Sequence, residues 1–226
     1  MKILSIDTCT EIISIALTVE NVITEKTFPS GKDYSGNILP EIQILLGESN
    51  LTIKNIDAIA FGAGPGSFTG IRVACGIAYG IAYANNLPII GINTLEALAY
   101  LSMHQNSISC IDARMGQVYL GIYQNINNII TPFIEPGLFN PTELPKPPKI
   151  KKAVVIGSGI STYKEQFKCQ YSDLELVYFE EKCSLAPAIA ALSKDHFESN
   201  FNLKNATPIY IRNKVAQTTK ERLNQK

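Results

Sequence analysis

Residues Gly62–Asn86 read GAGPGSFTGIRVACGIAYGIAYANN: a glycine-rich turn followed directly by a helix apolar on nearly every side. A glycine turn at a helix entry exposes unpaired N–H groups where the helix dipole favours negative charge, so it is a natural anion site. A helix that is apolar all round must be covered all round, by its own domain or by a partner. Gly64-Pro65-Gly66-Ser67 is not followed by GK[ST], and Arg72 lies too far into the helix to act as a P-loop lysine. The stretch also lacks the GxSxG of a nucleophile elbow. The helix Phe68–Ala84 would be about 26 Å long. Ala74, Ala78 and Ala82 form one small stripe on it, and Gly76, Gly80 and Ala84 another. Cys75, Tyr79 and Tyr83 form a larger apolar face.

Outward from this helix, short apolar runs alternate with helical periods. Lys2–Ile6, Ile12–Val19 and Val22–Phe28 read as three antiparallel strands, with Asp7–Glu11 as the first turn. Ile38–Gly47 has the spacing of an amphipathic helix, Ile56–Phe61 and Leu87–Ile92 read as buried strands, and Asn93 with Glu96 caps a further helix to about His104. The second half repeats this opening. Ser107–Asp112 and Gln117–Tyr123 form a hairpin around Asp112-Ala113-Arg114, Ile129–Ile134 is a third strand, and Val154–Ile156 leads into Gly157-Ser158-Gly159 and a short helix. Pro141–Lys152 reads as a surface loop and Ser184–Phe197 as a helix. The spacing predicts two related α/β lobes, residues 1–105 and 106–212, with mixed sheets covered by helices and a polar, basic tail at 213–226.

Such a double pattern is what an actin-like, sugar-kinase-like fold uses, with Asp-bearing hairpin turns facing a cleft. Asp7, Thr8, Asp112, Gly157 and Gly159 are therefore candidates for a vestigial ATP or ADP site, since backbone N–H groups bind phosphate and a carboxylate orients a cation. They are equally explained as good turn formers. For the apolar helix, packing within its own lobe competes with packing on another subunit. Two such helices exceed what one sheet face needs for cover, so Leu39, Ile42, Leu46, Cys75, Ala78, Tyr79, Ala82 and Tyr83 are the candidate interface.

The bulk composition narrows the function. The chain has 226 residues, 46% hydrophobic and 18% charged, with zero formal net charge. It lacks the basic balance of a main nucleic-acid surface. Lys146, Lys149, Lys151 and Lys152 in the proline-rich loop, and Lys214, Lys220, Arg222 and Lys226 in the tail, read as solvated, with weak RNA contact as the alternative. Five cysteines without CxxC spacing read as reduced thiols, and the two histidines form no metal pattern. The N-terminus meets Asp7 too early for a signal peptide, and the apolar helix carries Arg72 and several glycines. The expectation is a cytoplasmic protein with no membrane contact.

Four segments in order, ILSIDTCTEIISIAL, FGAGPGSFTGIRVACGIAYGIA, CIDARMGQVYLGIY and PIYIRN, resemble the TsaB (YeaZ) family over nearly the whole chain. The resemblance implies the two-lobed actin-like (ASKHA) fold and a non-catalytic subunit that requires no cofactor. Its implied partner is a homologous catalytic subunit, TsaD, which carries metal-binding histidines. With a TsaE-like ATPase, the pair transfers a threonylcarbamoyl group from an AMP adduct to N6 of adenosine-37 in tRNAs that read codons beginning with A. The resemblance also implies pairing through the first two helices of each subunit, here about 35–48 and 68–84, and tRNA contact through the complex. An exposed apolar helix pair also invites a homodimer when the partner is absent. The family's usual His-Ser before the first helix is Tyr34-Ser35 here. The alternative from a different class is an ATP-dependent sugar-kinase-like enzyme using Asp7 and Asp112.

Overall fold

The computed structural model describes residues 1–20, 22–29, 36–147, 149–199 and 206–212, with the side chains of 195–199 excepted. Tyr34-Ser35 and the tail at 213–226, with Lys214, Lys220, Arg222 and Lys226, lie outside the described residues.

Alternating β-branched runs build strands β1 (Lys2–Asp7), β2 (Ile12–Val19) and β3 (Val22–Pro29). Helix α1 (Ile38–Glu48) leads to β4 (Ala58–Gly64), α2 (Phe68–Asn85), β5 (Ile89–Asn93) and α3 (Thr94–Leu101). The second half contains β6 (Asn106–Asp112), β7 (Val118–Ile126), β8 (Ile129–Phe139), β9 (Lys152–Ile156), α4 (Gly159–Gln170) and β10 (Glu175–Phe179), followed by α5 (Ala186–Ser199).

The two sheets share one topology. The first runs β3-β2-β1-β4-β5 and the second β8-β7-β6-β9-β10. In each, the first three strands are antiparallel and the last two join in parallel. This repeat, with helices covering both sheets, is the two-lobed actin-like fold. β10 was not read from the sequence; it is a short edge strand, half exposed.

Three apolar layers hold the fold. α1 and α2 cover the outer face of the first sheet, with Ile42, Leu46, Ala74, Ala78 and Ala82 packed on Leu4, Ile6 and Phe61. Between the sheets lie α3 and α5, through Leu95, Leu98 and Ile189 against Ile3, Ala60, Ile111 and Ile156. The outer face of the second sheet is closed by α4 through Ile160 and Phe167. Helix α5 follows the second sheet in sequence, yet Ser14 Oγ of β2 accepts the Ala186 N–H at 3.0 Å and Ser5 Oγ of β1 donates to its carbonyl at 2.7 Å. These buried hydroxyls fix the start of α5 on the first sheet, and Ser14 satisfies an N–H that a helix entry leaves orphaned. Among the described residues, no helix is long and apolar enough to cross a membrane.

Candidate subunit interface and interlobe cleft

Helix α2 is placed by its two ends. Ser67 Oγ accepts the Gly70 N–H at 3.2 Å, and Asn86 ends the helix in the left-handed region at φ 53°. Its first turn is pinned to the β1–β2 turn: Ser67 N–H donates to Cys9 O at 2.9 Å, and Thr8 Oγ1 donates to Gly70 O. The glycines permit this approach. A Cβ at Gly66 would stand 2.4 Å from Cys9 O, and one at Gly70 1.8 Å from Thr8 O. Close packing thus occupies much of the turn that reads as an anion site.

This anchoring fixes the rotation of α2 and divides the residues expected at an interface. Ala78 and Ala82 are buried against the first sheet, because the Ala74–Ala78–Ala82 stripe is the one that meets β1 and β4. Both are corrected from partner-facing to core. Ile42 and Leu46 are also largely buried, but they form the floor of a groove between α1 and α2. Cys75 and Tyr79 are half-buried; Leu39 is 50% exposed and Tyr83 88% exposed. The groove is about 680 Å³, with Leu39, Ile42 and Leu46 on one side and Gly76, Gly80 and Ala84 on the other. Among the described residues, a Cβ at Gly76 or Gly80 would meet nothing within 4 Å. Hence the second small stripe, not the first, faces outward.

The cleft between the lobes holds a cavity of about 600 Å³, lined in part by Thr8, Ser67, Asp112, Arg114 and Tyr210. A second cavity, of about 440 Å³, contains Gly157, Ser158 and Lys164 in its lining. Asp7 opens into neither. It is fully buried, its Oδ1 accepting the Cys9 N–H at 3.1 Å and its Oδ2 the Thr10 hydroxyl at 2.9 Å. Both faces of β1 are covered, and the Asp7 carboxylate packs over Gly62 of β4, where an added Cβ would stand 2.4 Å from its Oδ1. Asp112 reaches the cleft, but Oδ1 accepts the Arg114 N–H at 2.8 Å and Oδ2 pairs with the Arg114 guanidinium at 3.2 Å. Gly157 and Gly159 are used for packing, since a Cβ at either would press on Cys110, at 2.1 Å from its carbonyl oxygen in the first case. With one carboxylate buried and the other tied, these residues do not fit a magnesium-bound nucleotide.

Burial raises the Asp7 carboxyl above its ordinary range despite its hydrogen bonds. A raised folded-state pKa means that the folded chain holds this proton more tightly than the unfolded one. Asp7 therefore favours folding most below the unfolded pKa, near 3.8, and that contribution is lost as pH rises through the folded pKa. Asp7→Asn is expected to melt higher than wild type at neutral pH, with a shallower fall in melting temperature between pH 4 and 8. Parallel melting-temperature profiles for the two proteins would refute this. The neighbouring Cys9 thiol is pushed well up by burial and then by the Asp7 charge, and its Sγ donates to Gly62 O at 3.0 Å, so it is not poised as a nucleophile.

The chain matches the family model "TsaD: tRNA N6-adenosine threonylcarbamoyltransferase" over residues 21–221. It is 32% identical to the tRNA threonylcarbamoyladenosine biosynthesis protein TsaB of Escherichia coli, with 96% of each chain covered. The TsaB of Haemophilus influenzae is 30% identical, with 95% of each covered. Among solved structures, YeaZ from Pseudomonas aeruginosa superposes with a TM-score of 0.79 at 26% identity, covering 92% of this chain and 99% of that one. The chain belongs to the TsaB (YeaZ) family, within the wider family that the TsaD model describes.

Proposed function

We propose that this chain is a non-catalytic subunit that binds and activates a TsaD-like threonylcarbamoyltransferase acting on N6 of adenosine-37 in tRNA. The observation that carries this reading is the groove between α1 and α2. Two glycines in the middle of an exposed helix face cost stability, about 1 kcal/mol each relative to alanine. Among the described residues, no atom outside the helix's own backbone lies within 4 Å of a Cβ built at either position. Bare backbone beside an apolar floor of Ile42 and Leu46 is suited to a closely packed partner helix. In the absence of that partner, the same face pairs two copies of the chain. A TsaE-like ATPase and tRNA join through the assembled complex in the cytoplasm, and this subunit needs no nucleotide of its own.

The sugar-kinase alternative is not favoured, because neither hairpin carboxylate is free to hold magnesium. The experiment is reconstitution. The chain, a TsaD-like subunit and a TsaE-like ATPase are assayed on unmodified tRNA, with this chain present and then omitted. Modification is expected only when it is present, and the isolated chain is expected to hydrolyse no ATP. Full modification without it, or ATP turnover by the chain alone, would overturn the reading.

A further inference from the structure

The segment Ala206–Arg212 follows the last helix and runs back across the mouth of the cleft. Its first part lies on the first lobe. Ile209 N–H donates to Ala63 O at 2.7 Å, at the end of β4, and Tyr79 OH donates to Ala206 O at 2.7 Å. Tyr210 then meets the outer flank of α2. Arg72 Nε donates to its hydroxyl at 3.2 Å, the Arg72 guanidinium sits 3.7 Å above the centre of the Phe68 ring, and the Phe68 and Tyr210 rings are 6.0 Å apart. The segment thus touches α2 at residues 68, 72 and 79, on the flank away from the groove.

Its last described residue reaches the other lobe. Arg212 Nη2 donates to Arg114 O at 3.2 Å and to Gln117 Oε1 at 2.7 Å, while Nη1 lies 3.1 Å from Met115 Sδ. All three targets lie on the β6–β7 turn. That turn is held in an unfavourable backbone conformation: Arg114, Met115 and Gly116 are consecutive left-handed residues, at φ 61°, 56° and 70°. Only glycine adopts this region without cost, so the first two must be held by their surroundings. Asp112 holds the turn from within by accepting the Arg114 N–H, and Tyr163 of α4 donates to Gln117 O at 3.2 Å. Arg212 holds the turn from a segment that is bonded to β4 and α2 of the first lobe, and not from the second sheet or its covering helix.

We propose that Ala206–Arg212 is an interlobe clamp, in which Arg212 grips the strained 114–116 turn and thereby ties the second lobe to the outer flank of α2. Arg212 acts as a positioning residue. Its guanidinium turns Nη2 to the Arg114 carbonyl and Gln117 Oε1 and Nη1 to Met115 Sδ, two nitrogens held in one plane, an arrangement that a lysine with its single ammonium nitrogen does not reproduce. The clamp makes the orientation of the second lobe and the seating of α2 a single coupled property. What that coupling serves, presentation of α2 to a catalytic partner, rests on the proposed function; the clamp itself does not.

The test is amide hydrogen exchange on the full chain without any partner, comparing wild type, Arg212→Ala, Arg212→Lys and Gln117→Ala. Arg212→Ala is expected to speed exchange about tenfold or more in two places remote in sequence, residues 113–117 and the first turn of α2, with the central strands β1 and β4 unchanged. Gln117→Ala should loosen the same two places to a smaller degree, and Arg212→Lys should fall between Arg212→Ala and wild type. Unchanged protection at the start of α2 in a folded Arg212→Ala would overturn the clamp, as would a uniform loss of protection over the whole chain. In the reconstituted complex, Arg212→Ala is expected to weaken binding of the TsaD-like subunit about tenfold, because α2 is no longer held in the orientation it presents, and the modification rate falls with it. If wild type fails to bind that subunit, the functional reading fails and the exchange result still decides the clamp.

Discussion

Gly80→Arg is expected to lower affinity for the TsaD-like subunit by on the order of a hundredfold, while the isolated chain stays folded with a melting temperature no lower than wild type. The loss is that of a central interface position filled by a long charged side chain, at least about 2.8 kcal/mol. The fold is spared because a Cβ at Gly80 meets nothing within 4 Å and arginine is a better helix former than glycine. A second substitution separates stability from docking. Gly76→Ala with Gly80→Ala should raise stability by about 1–2 kcal/mol in total and still weaken docking, because added methyl groups hold a partner backbone away. Calorimetric titration with the catalytic subunit and thermal melts of each variant decide the matter. Tight binding by folded Gly80→Arg would remove the groove between α1 and α2 as the interface.

How far the sequence carried the fold can be seen at particular residues. The three-strand openings of both lobes were legible because short runs rich in β-branched residues, such as Ile12–Val19, are bounded by turn residues; β2 is buried on both faces, as a near-continuous apolar run requires. Strand β10 was not, since Glu175–Phe179 is only five residues long, lies at a sheet edge and is half exposed, so its apolar run is not bounded like that of a buried strand. The rotation of α2 was illegible for a physical reason. A helix apolar all round has no polar face to mark which side is wet, so the Ala78–Ala82 and Gly76–Gly80 stripes read alike. What decides between them is tertiary: the Thr8 and Cys9 contacts at the first turn. Asp7 reads as a cleft-facing turn residue, but β1 is covered on both faces, so its carboxylate is buried where the sequence expects it to be open. The PIYIRN segment carries a family resemblance, but no local pattern tells an extended segment which lobe to cross, so the grip of Arg212 on the β6–β7 turn is visible only in the structure.

Gly70→Ala should do the opposite of Gly80→Ala in the same helix. Helix propensity alone assigns both a gain of about 1 kcal/mol. At Gly70 the added Cβ would stand 1.8 Å from Thr8 O and 2.8 Å from Thr8 C, both backbone atoms that no rotamer change can move. Relief requires the first turn of α2 to withdraw from the β1–β2 turn. That movement stretches the buried Thr8 hydroxyl bond to Gly70 O and the Ser67 N–H bond to the carbonyl of buried Cys9. Overpacking and the loss of these bonds together are expected to cost about 3–5 kcal/mol. For a chain of this length, that lowers the melting temperature by roughly 6–20 °C. A melt within about 2 °C of wild type would mean that the turn yields freely and that α2 is not seated by this contact. The expected contrast, one glycine kept for contact with its own chain and another left bare beside a groove, is what a helix with one committed face and one docking face requires. A folded Gly70→Ala should also lose affinity for the catalytic subunit, because a tilted α2 presents its Gly76–Gly80 face at the wrong angle to α1.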